Sequence, residues 1–171
     1  MEKYIGVKEI LAKPMSRKEY NDYRGWELPS DENGDYEGYL VEYVQSEKSP
    51  NVNHPDHKGY ISSWSPKDVF NEAYRKTDGL TFGLAVEALK LGYKVARKGW
   101  NGADMFLVLS PGAKQLPPEQ FFNKDLKEYA LSIGGTMDVR PSFMLKTAQE
   151  DVAYWSPSGS DALAEDWIVV E

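Results

Sequence analysis

Met105-Phe-Leu-Val-Leu109 is an uninterrupted apolar run with the length of a single β-strand. Ser110-Pro111-Gly112, a group of turn-forming residues, follows it directly. A short apolar run that is bounded by a turn is typical of a strand covered on both faces. We therefore expect this run to be the central strand of a sheet, buried on both sides.

The residues before this run predict a helix followed by a second strand. Thr81 is placed to cap the helix and Gly92 to end it. Apolar side chains recur at helical spacing between these two residues, at Phe82, Ala85, Val86 and Leu89. Residues 93–98 then alternate along the chain as the side chains of a strand do.

The residues after the central strand predict a helix, a hairpin and a final strand. The helix is expected over residues 119–130, where one face is apolar, with Phe122, Leu126 and Tyr129. Residues 143–146 and 152–155 predict the hairpin, and residues 166–170 the last strand. This order predicts an α+β fold with a mostly antiparallel sheet and packed helices.

Residues 1–79 predict a small N-terminal α/β extension. A capping box of the Ser-x-x-Glu type begins at Ser16 and predicts a short helix. Residues 38–44 have the β-branched and aromatic content of a strand, which we expect to pair with residues 59–64. Ser65 is expected to cap a second helix that starts with a proline.

The composition limits the classes of partner. The chain has 171 residues and a net charge of −7, so on average it repels polyanions, and we expect no nucleic-acid polymer as a partner. A small anion can still bind where cationic side chains and backbone amides converge. No apolar run approaches the roughly 18 residues of a membrane span, so no membrane partner is expected. Cysteine is absent, which excludes disulfides and thiol chemistry.

Residues typical of enzymes are sparse. The only two histidines, His54 and His57, lie in a polar loop of the first half. Their spacing is compatible with a metal site, but a loop of this kind is more often simply solvated. Neither a Walker loop nor a dinucleotide-binding glycine loop is present. The sequence therefore predicts no catalytic residue, no metal and no cofactor.

A cluster of carboxylates near the C-terminus has two interpretations. Asp161, Glu165 and Asp166 are close enough in sequence to form an acid–base pair or to hold magnesium. Alternatively, Ser160 or Asp161 caps a short helical turn, which explains the same pattern without chemistry.

Gly99-Trp100-Asn101-Gly102 is the local feature that best suits a ligand. The glycines allow close backbone approach, the indole can stack on a flat base, and Asn101 can donate to and accept from a base edge or ribose. Arg97 and Lys98 stand just before it and can meet phosphate. The alternative is a tight turn whose tryptophan caps the core.

Several separated blocks of the second half, in one order, resemble a family of phage proteins, the Thoeris anti-defence proteins of the second class. These blocks are Leu80-Thr-Phe-Gly83, Ala88-Leu-Lys-Leu-Gly92, Val95-Ala-Arg-Lys-Gly-Trp-Asn-Gly102, Met105-Phe-Leu107 and Ala162-Leu-Ala-Glu-Asp-Trp167. The resemblance covers residues 80–171 and implies a domain boundary there. Residues 1–79 are similar to a segment of other phage proteins for which no role is implied.

The resemblance implies a sponge that binds cyclic ADP-ribose, the signal of a host TIR-domain enzyme, without cleaving it. It implies homotetramers whose ligand pockets are shared between two protomers, acting in the cytoplasm of the infected bacterial host. Trp100 would stack on the base, Gly99, Asn101 and Gly102 would line the pocket mouth, and Arg97 or Lys98 would meet phosphate. The residues implied to bind ribose and phosphate oxygens are Lys146, Trp155, Ser158, Ser160 and Asp161.

Two other functions remain open from the sequence. One is an enzyme that degrades the same cyclic nucleotide, and the other is a phage structural or accessory protein with no small ligand. The preferred isomer of cyclic ADP-ribose, and binding of cyclic di- or trinucleotides, are not predicted. Pro157 and Gly159 depart from the family pattern in the loop that carries part of the site.

Overall fold

The computed structural model describes residues 3, 7–44, 60–100 and 104–170. The chain divides into two compact units, Met1–Arg75 and Lys76–Glu171. The second unit begins shortly before Leu80, where the resemblance to a known family starts. Within the described ranges, no helix is both long and apolar enough to cross a lipid bilayer.

The first unit contains a three-stranded antiparallel sheet in the order β1-β2-β3. Its elements are β1 (Ile10–Pro14), α1 (Arg17–Arg24), β2 (Gly38–Val44), β3 (Tyr60–Pro66) and α2 (Lys67–Ala73). The predicted strand over residues 38–44 and its pairing with the segment that begins near residue 60 are confirmed. Strand β1 was not predicted, because it is a mostly exposed edge strand without alternating polarity.

The helices of the first unit confirm one predicted cap and correct the other. The Ser16 hydroxyl accepts from the Glu19 amide at 3.2 Å, and the Glu19 carboxylate accepts from the Ser16 amide at 2.6 Å, which is the predicted capping box. The prediction that Ser65 caps α2 is wrong. Ser65 is held in β3 opposite Tyr39, so Pro66 occupies the N-cap position and no side chain caps α2.

Gly38 permits the close packing of Trp64 in the first unit. A Cβ atom at Gly38 would lie 2.5 Å from the Trp64 ring and 2.5 Å from the Ser65 carbonyl oxygen. The Trp64 indole donates to the Met15 carbonyl at 2.9 Å, and the Arg17 guanidinium lies over the ring. Any larger residue at position 38 would displace this tryptophan.

The second unit has an α+β fold built on a five-stranded antiparallel sheet, as predicted. Its elements are α3 (Phe82–Lys90), β4 (Lys94–Arg97), β5 (Phe106–Ser110), β6 (Ala113–Leu116), α4 (Lys124–Ser132), β7 (Met137–Val139), β8 (Ser142–Lys146), β9 (Val152–Trp155), α5 (Gly159–Ala162) and β10 (Trp167–Val170). The order in the main sheet is β10-β4-β5-β8-β9, and β6 pairs with β7 separately. The predicted hairpin, final strand and helix α3 are confirmed, and the Thr81 hydroxyl caps α3 at the Leu84 amide.

Strand β5 is central, as the apolar run predicts, but it is not buried on both sides. Leu107 is fully buried, whereas the other β5 residues are half-buried. Helix α3 packs against β4, β5 and β10 from one side only. The apolar run therefore correctly predicts the central position of the strand in the sheet. The second face of the sheet is less covered than the run predicts.

The register of the strands assigns side chains to the two faces of the main sheet. Val95 is opposite Leu107, which is opposite Leu145, and all three contribute to the core under α3. We call this side the α3 face. Side chains alternate along a strand, so Met144 and Lys146 lie on the opposite face.

The predicted helix over residues 119–130 is wrong in its boundaries. A short 3-10 helix spans Pro118–Gln120, and α4 begins only at Lys124. The Asn123 side chain caps α4 by accepting from the Leu126 amide at 3.0 Å. Phe122 therefore precedes the helix and is fully exposed, not part of an apolar helical face.

Candidate functional site

Trp100 follows β4 and packs against the core of the second unit. Its backbone amide donates to the Arg97 carbonyl at 3.2 Å, which fixes a tight turn. Its ring makes edge-to-face contacts with Trp155, at 6.1 Å between centroids, and with Trp167, at 5.4 Å. The side chain is half-buried. Trp100 thus caps the core, and part of its ring is still accessible to a ligand.

Five aromatic rings meet on the α3 face: Phe82, Trp100, Phe143, Trp155 and Trp167. Trp167 is fully buried, and its indole donates to the Asp161 carbonyl at 3.1 Å. The site residues predicted from the sequence do not include Phe82, Phe143 or Trp167. Their positions depend on strand register and on the packing of α3, which local sequence patterns do not specify.

Arg97 lies at the end of β4 and joins two carboxylates. Its Nε donates to Asp166 Oδ1 at 2.7 Å, and its terminal nitrogen donates to Asp161 Oδ1 at 2.9 Å. The Arg97 side chain is 22% exposed. Hydrogen bonds from Arg97 lower the pKa of Asp166, and the same two carboxylates raise the pKa of Arg97. The three groups together carry one net negative charge, so Arg97 is already neutralised before any ligand arrives.

The segment that carries Ser158 and Asp161 is ordered by a capping box. Ser158 is the N-cap of α5: its hydroxyl accepts from the Asp161 amide at 3.2 Å, and Asp161 Oδ2 accepts from the Ser158 amide at 3.0 Å. Ser160 is 2.9 Å from the Ser158 hydroxyl. The prediction that Ser160 or Asp161 caps this turn is wrong, because the N-cap lies two residues before Ser160, at Ser158, and Asp161 takes the third helical position.

Asp161 is ionised by its surroundings. The Ser158 hydroxyl, then Arg97 and the Ser158 amide, donate hydrogen bonds to it and lower its pKa below the usual range. Both carboxyl groups beside Arg97 therefore remain charged at neutral pH. This suits a fixed hydrogen-bonding frame better than proton transfer, which needs a pKa near the working pH.

The structure brings together only part of the predicted site. The predicted residues that belong to the aromatic cluster, to the Arg97 ion pairs or to the segments next to them are Arg97, Gly99, Trp100, Trp155, Ser158, Ser160 and Asp161. Lys98 is exposed at the end of β4. Lys146 lies on the opposite face of the sheet, where its ammonium pairs with Glu150 at 2.7 Å. Asn101, Gly102, His54 and His57 fall outside the described residues.

Two surface clefts are lined by other residues. One, of about 450 Å³, is formed by residues 111–114 and 138–141, and the other, of about 480 Å³, lies in the first unit beside Tyr39. Each contains an ion pair that closes on itself, Lys114 with Asp138 and Lys67 with Glu37. Neither cleft is lined by the aromatic residues of the α3 face. Among the described residues, no group of three or more His, Cys, Asp or Glu side chains is arranged to hold a metal ion.

Comparison with known proteins agrees with the resemblance seen in the sequence. Residues 80–170 match the model of the Tad2-like family, the Thoeris anti-defense 2-like domain. One relative, Thoeris anti-defense 2 of Bacillus phage SP01, is 37% identical over 92 residues, which are 53% of this chain and 94% of the relative. The matched region contains α3, the main sheet, Trp100 and the Arg97 ion pairs. The chain therefore belongs to the Tad2-like family of Thoeris anti-defense 2-like domains.

Proposed function

We propose that this chain is a phage anti-defence protein that binds a cyclic ADP-ribose-type immune signal and sequesters it without cleaving it. Family membership supports a role in Thoeris anti-defence. We further propose that residues 80–171 are the binding domain, that residues 1–79 are an N-terminal phage-type extension, and that the protein acts in the cytoplasm of the infected host.

The half-buried Trp100 ring is the observation that carries the proposal. Its edge-to-face contacts with Trp155 and Trp167 hold it in one orientation, so a base that stacks on it pays little ordering entropy. Stacking of a base on an aromatic side chain contributes about 1–3 kcal/mol. The hydroxyl groups of Ser158 and Ser160 are exposed nearby and suit ribose or phosphate oxygens.

The charges at the site favour binding over catalysis. Asp161 and Asp166 are both tied to Arg97 and have lowered pKa values. A general acid or base would need a pKa shifted toward neutrality. Residues 80–171 contain neither histidine nor cysteine, so no imidazole or thiolate of this domain can replace them.

We also propose that two protomers of a homotetramer share each ligand pocket. Trp100 lies on the α3 face, whereas Lys146 lies on the opposite face of the same sheet. If both residues contact one ligand, they come from different protomers. The exposed Lys98 would then supply positive charge for phosphate, and Lys146 would exchange its single exposed partner, Glu150, for the phosphate, whereas Arg97 is held by two carboxylates.

Ligand release on heating tests sequestration directly. We expect the protein to remove cyclic ADP-ribose from solution with a dissociation constant near nanomolar, about −12 kcal/mol, because it must outcompete the host effector. Heating the complex should return the ligand with its mass and chromatographic retention unchanged. The measurement is mass spectrometry of the filtrate before and after denaturation, over a panel of cyclic ADP-ribose isomers and cyclic oligonucleotides.

The other two functions give different results in the same assay. A degrading enzyme would return a product of altered mass, with turnover beyond one equivalent of protein. A structural or accessory protein would leave every cyclic nucleotide in the filtrate before heating and show no thermal shift with any of them. Either result would contradict the proposed function.

Mixed oligomers test the shared pocket. We expect Trp100→Ala and Lys146→Ala proteins each to lose binding alone. A hetero-oligomer of the two variants, isolated through different affinity tags, should recover binding at half of the sites of the wild-type protein. Half is expected because, in each pair of protomers, one pocket combines both intact residues and the other combines both substitutions. Recovery of no sites would show that the two residues do not act across an interface.

A further inference from the structure

Asp166 contacts the turn that carries Trp100 at two points. Its carboxylate accepts from Arg97 Nε at 2.7 Å. Its backbone carbonyl accepts from the Lys98 amide at 3.1 Å. This residue, which directly precedes β10, therefore holds two consecutive residues of the turn.

Arg97 extends this set of contacts to the second segment of the site. Its other arm binds Asp161, whose carboxylate accepts from the Ser158 hydroxyl at 2.6 Å. A continuous chain of charge-assisted hydrogen bonds thus runs from Asp166 through Arg97 and Asp161 to Ser158. Such bonds are short and directional, so they fix geometry more strongly than neutral ones.

We propose that Asp166 is a positioning residue for the ligand pocket, an inference that rests on the proposed function. Its carboxylate is occupied by Arg97 and need not touch the ligand. It holds the Trp100 turn and, through Arg97, the segment of Ser158 and Asp161 in a single arrangement before the ligand arrives. A pocket organised in this way binds tightly because little ordering remains to be done on binding.

Asp166→Asn tests the proposal with little change in shape. The amide keeps one acceptor but loses the charge, so the bond to Arg97 weakens. We expect the affinity for the cyclic nucleotide found in the release assay to fall about tenfold, mainly through faster dissociation. In the free protein we expect the Lys98 and Trp100 amides, which donate to the Asp166 and Arg97 carbonyls, to exchange with solvent about tenfold faster. Asp78→Asn is the matched control, since Asp78 is exposed in the same unit.

A double-mutant cycle separates positioning from a general structural role. Arg97→Gln and Asp166→Asn should together weaken binding clearly less than the product of their separate effects, because both break the same chain of bonds. Multiplicative effects, or an Asp166→Asn protein that matches Asp78→Asn in affinity and amide exchange, would overturn the proposal. If the wild-type protein binds no cyclic nucleotide, the proposed function fails, and amide exchange at Lys98 and Trp100 in the free protein still decides whether Asp166 holds the turn.

Discussion

Trp100→Ala is expected to weaken binding of the cyclic nucleotide about ten- to a hundredfold, because it removes the surface on which the base stacks. The same substitution should lower the free energy of unfolding of the second unit by about 1–3 kcal/mol, since a half-buried ring that contacts Trp155 and Trp167 is lost. Isothermal titration calorimetry and denaturant unfolding measure the two effects separately.

Two further variants separate the loss of stacking from the loss of stability. Trp100→Phe keeps an aromatic ring against the core, so it should restore most of the stability and only part of the affinity. Trp26→Ala is a matched control, because Trp26 is 52% exposed and lies in the first unit, outside the matched family region. Unchanged affinity in Trp100→Ala would remove this residue from the site.

Trp167→Ala is expected to have the largest effect on stability. Trp167 is fully buried among Phe82, Trp100 and Trp155, and truncation of a buried tryptophan costs about 3–5 kcal/mol. Domains of this size are stable by only about 5–15 kcal/mol, so the second unit should be largely destabilised. Near-ultraviolet circular dichroism during thermal unfolding should show a transition at much lower temperature.

Trp167→Phe isolates the contribution of the indole hydrogen bond. The phenyl ring fills much of the same space but removes the indole donor, while the Asp161 carbonyl keeps the Ala164 amide at 3.3 Å. The lost hydrogen bond is expected to cost about 0.5–1.5 kcal/mol. Leu163→Ala provides the control, because Leu163 is 85% exposed beside the same segment. A Trp167→Ala protein that unfolds at the wild-type temperature would contradict the assignment of Trp167 to the centre of the core.

Much of the fold could be predicted from local sequence. The apolar run ending at Leu109 locates the central strand, and Thr81 with its periodic apolar residues defines α3. The sequence predicts a start of α4 that is too early. The prolines before residue 119 and the Asn123 side chain are helix-start signals of similar strength, and the helix begins after Asn123. Strand β1 does not alternate between buried and exposed residues, so the sequence pattern does not predict its pairing with β2.

The candidate site was only partly predictable, because its key contacts join distant parts of the chain. Arg97 is 64 residues from Asp161 and 69 from Asp166, and no spacing rule connects them. The position of Lys146 depends on register, since a shift of one residue would move it to the α3 face. The capping box of Ser158 and Asp161, by contrast, follows a recognisable spacing and could have been identified.

Under the proposed function, the capping box at Ser158 also indicates where the nucleotide preference of this protein can be altered. Asp161 is bound to Arg97 and Ser158, so the C-terminal end of the loop after β9 tolerates little variation. Ser156 and Pro157 are exposed and precede that anchor. A library of substitutions at these two positions would vary the wall next to Trp155 while the scaffold stays intact, which makes them the first choice for engineering sensors of other cyclic nucleotides.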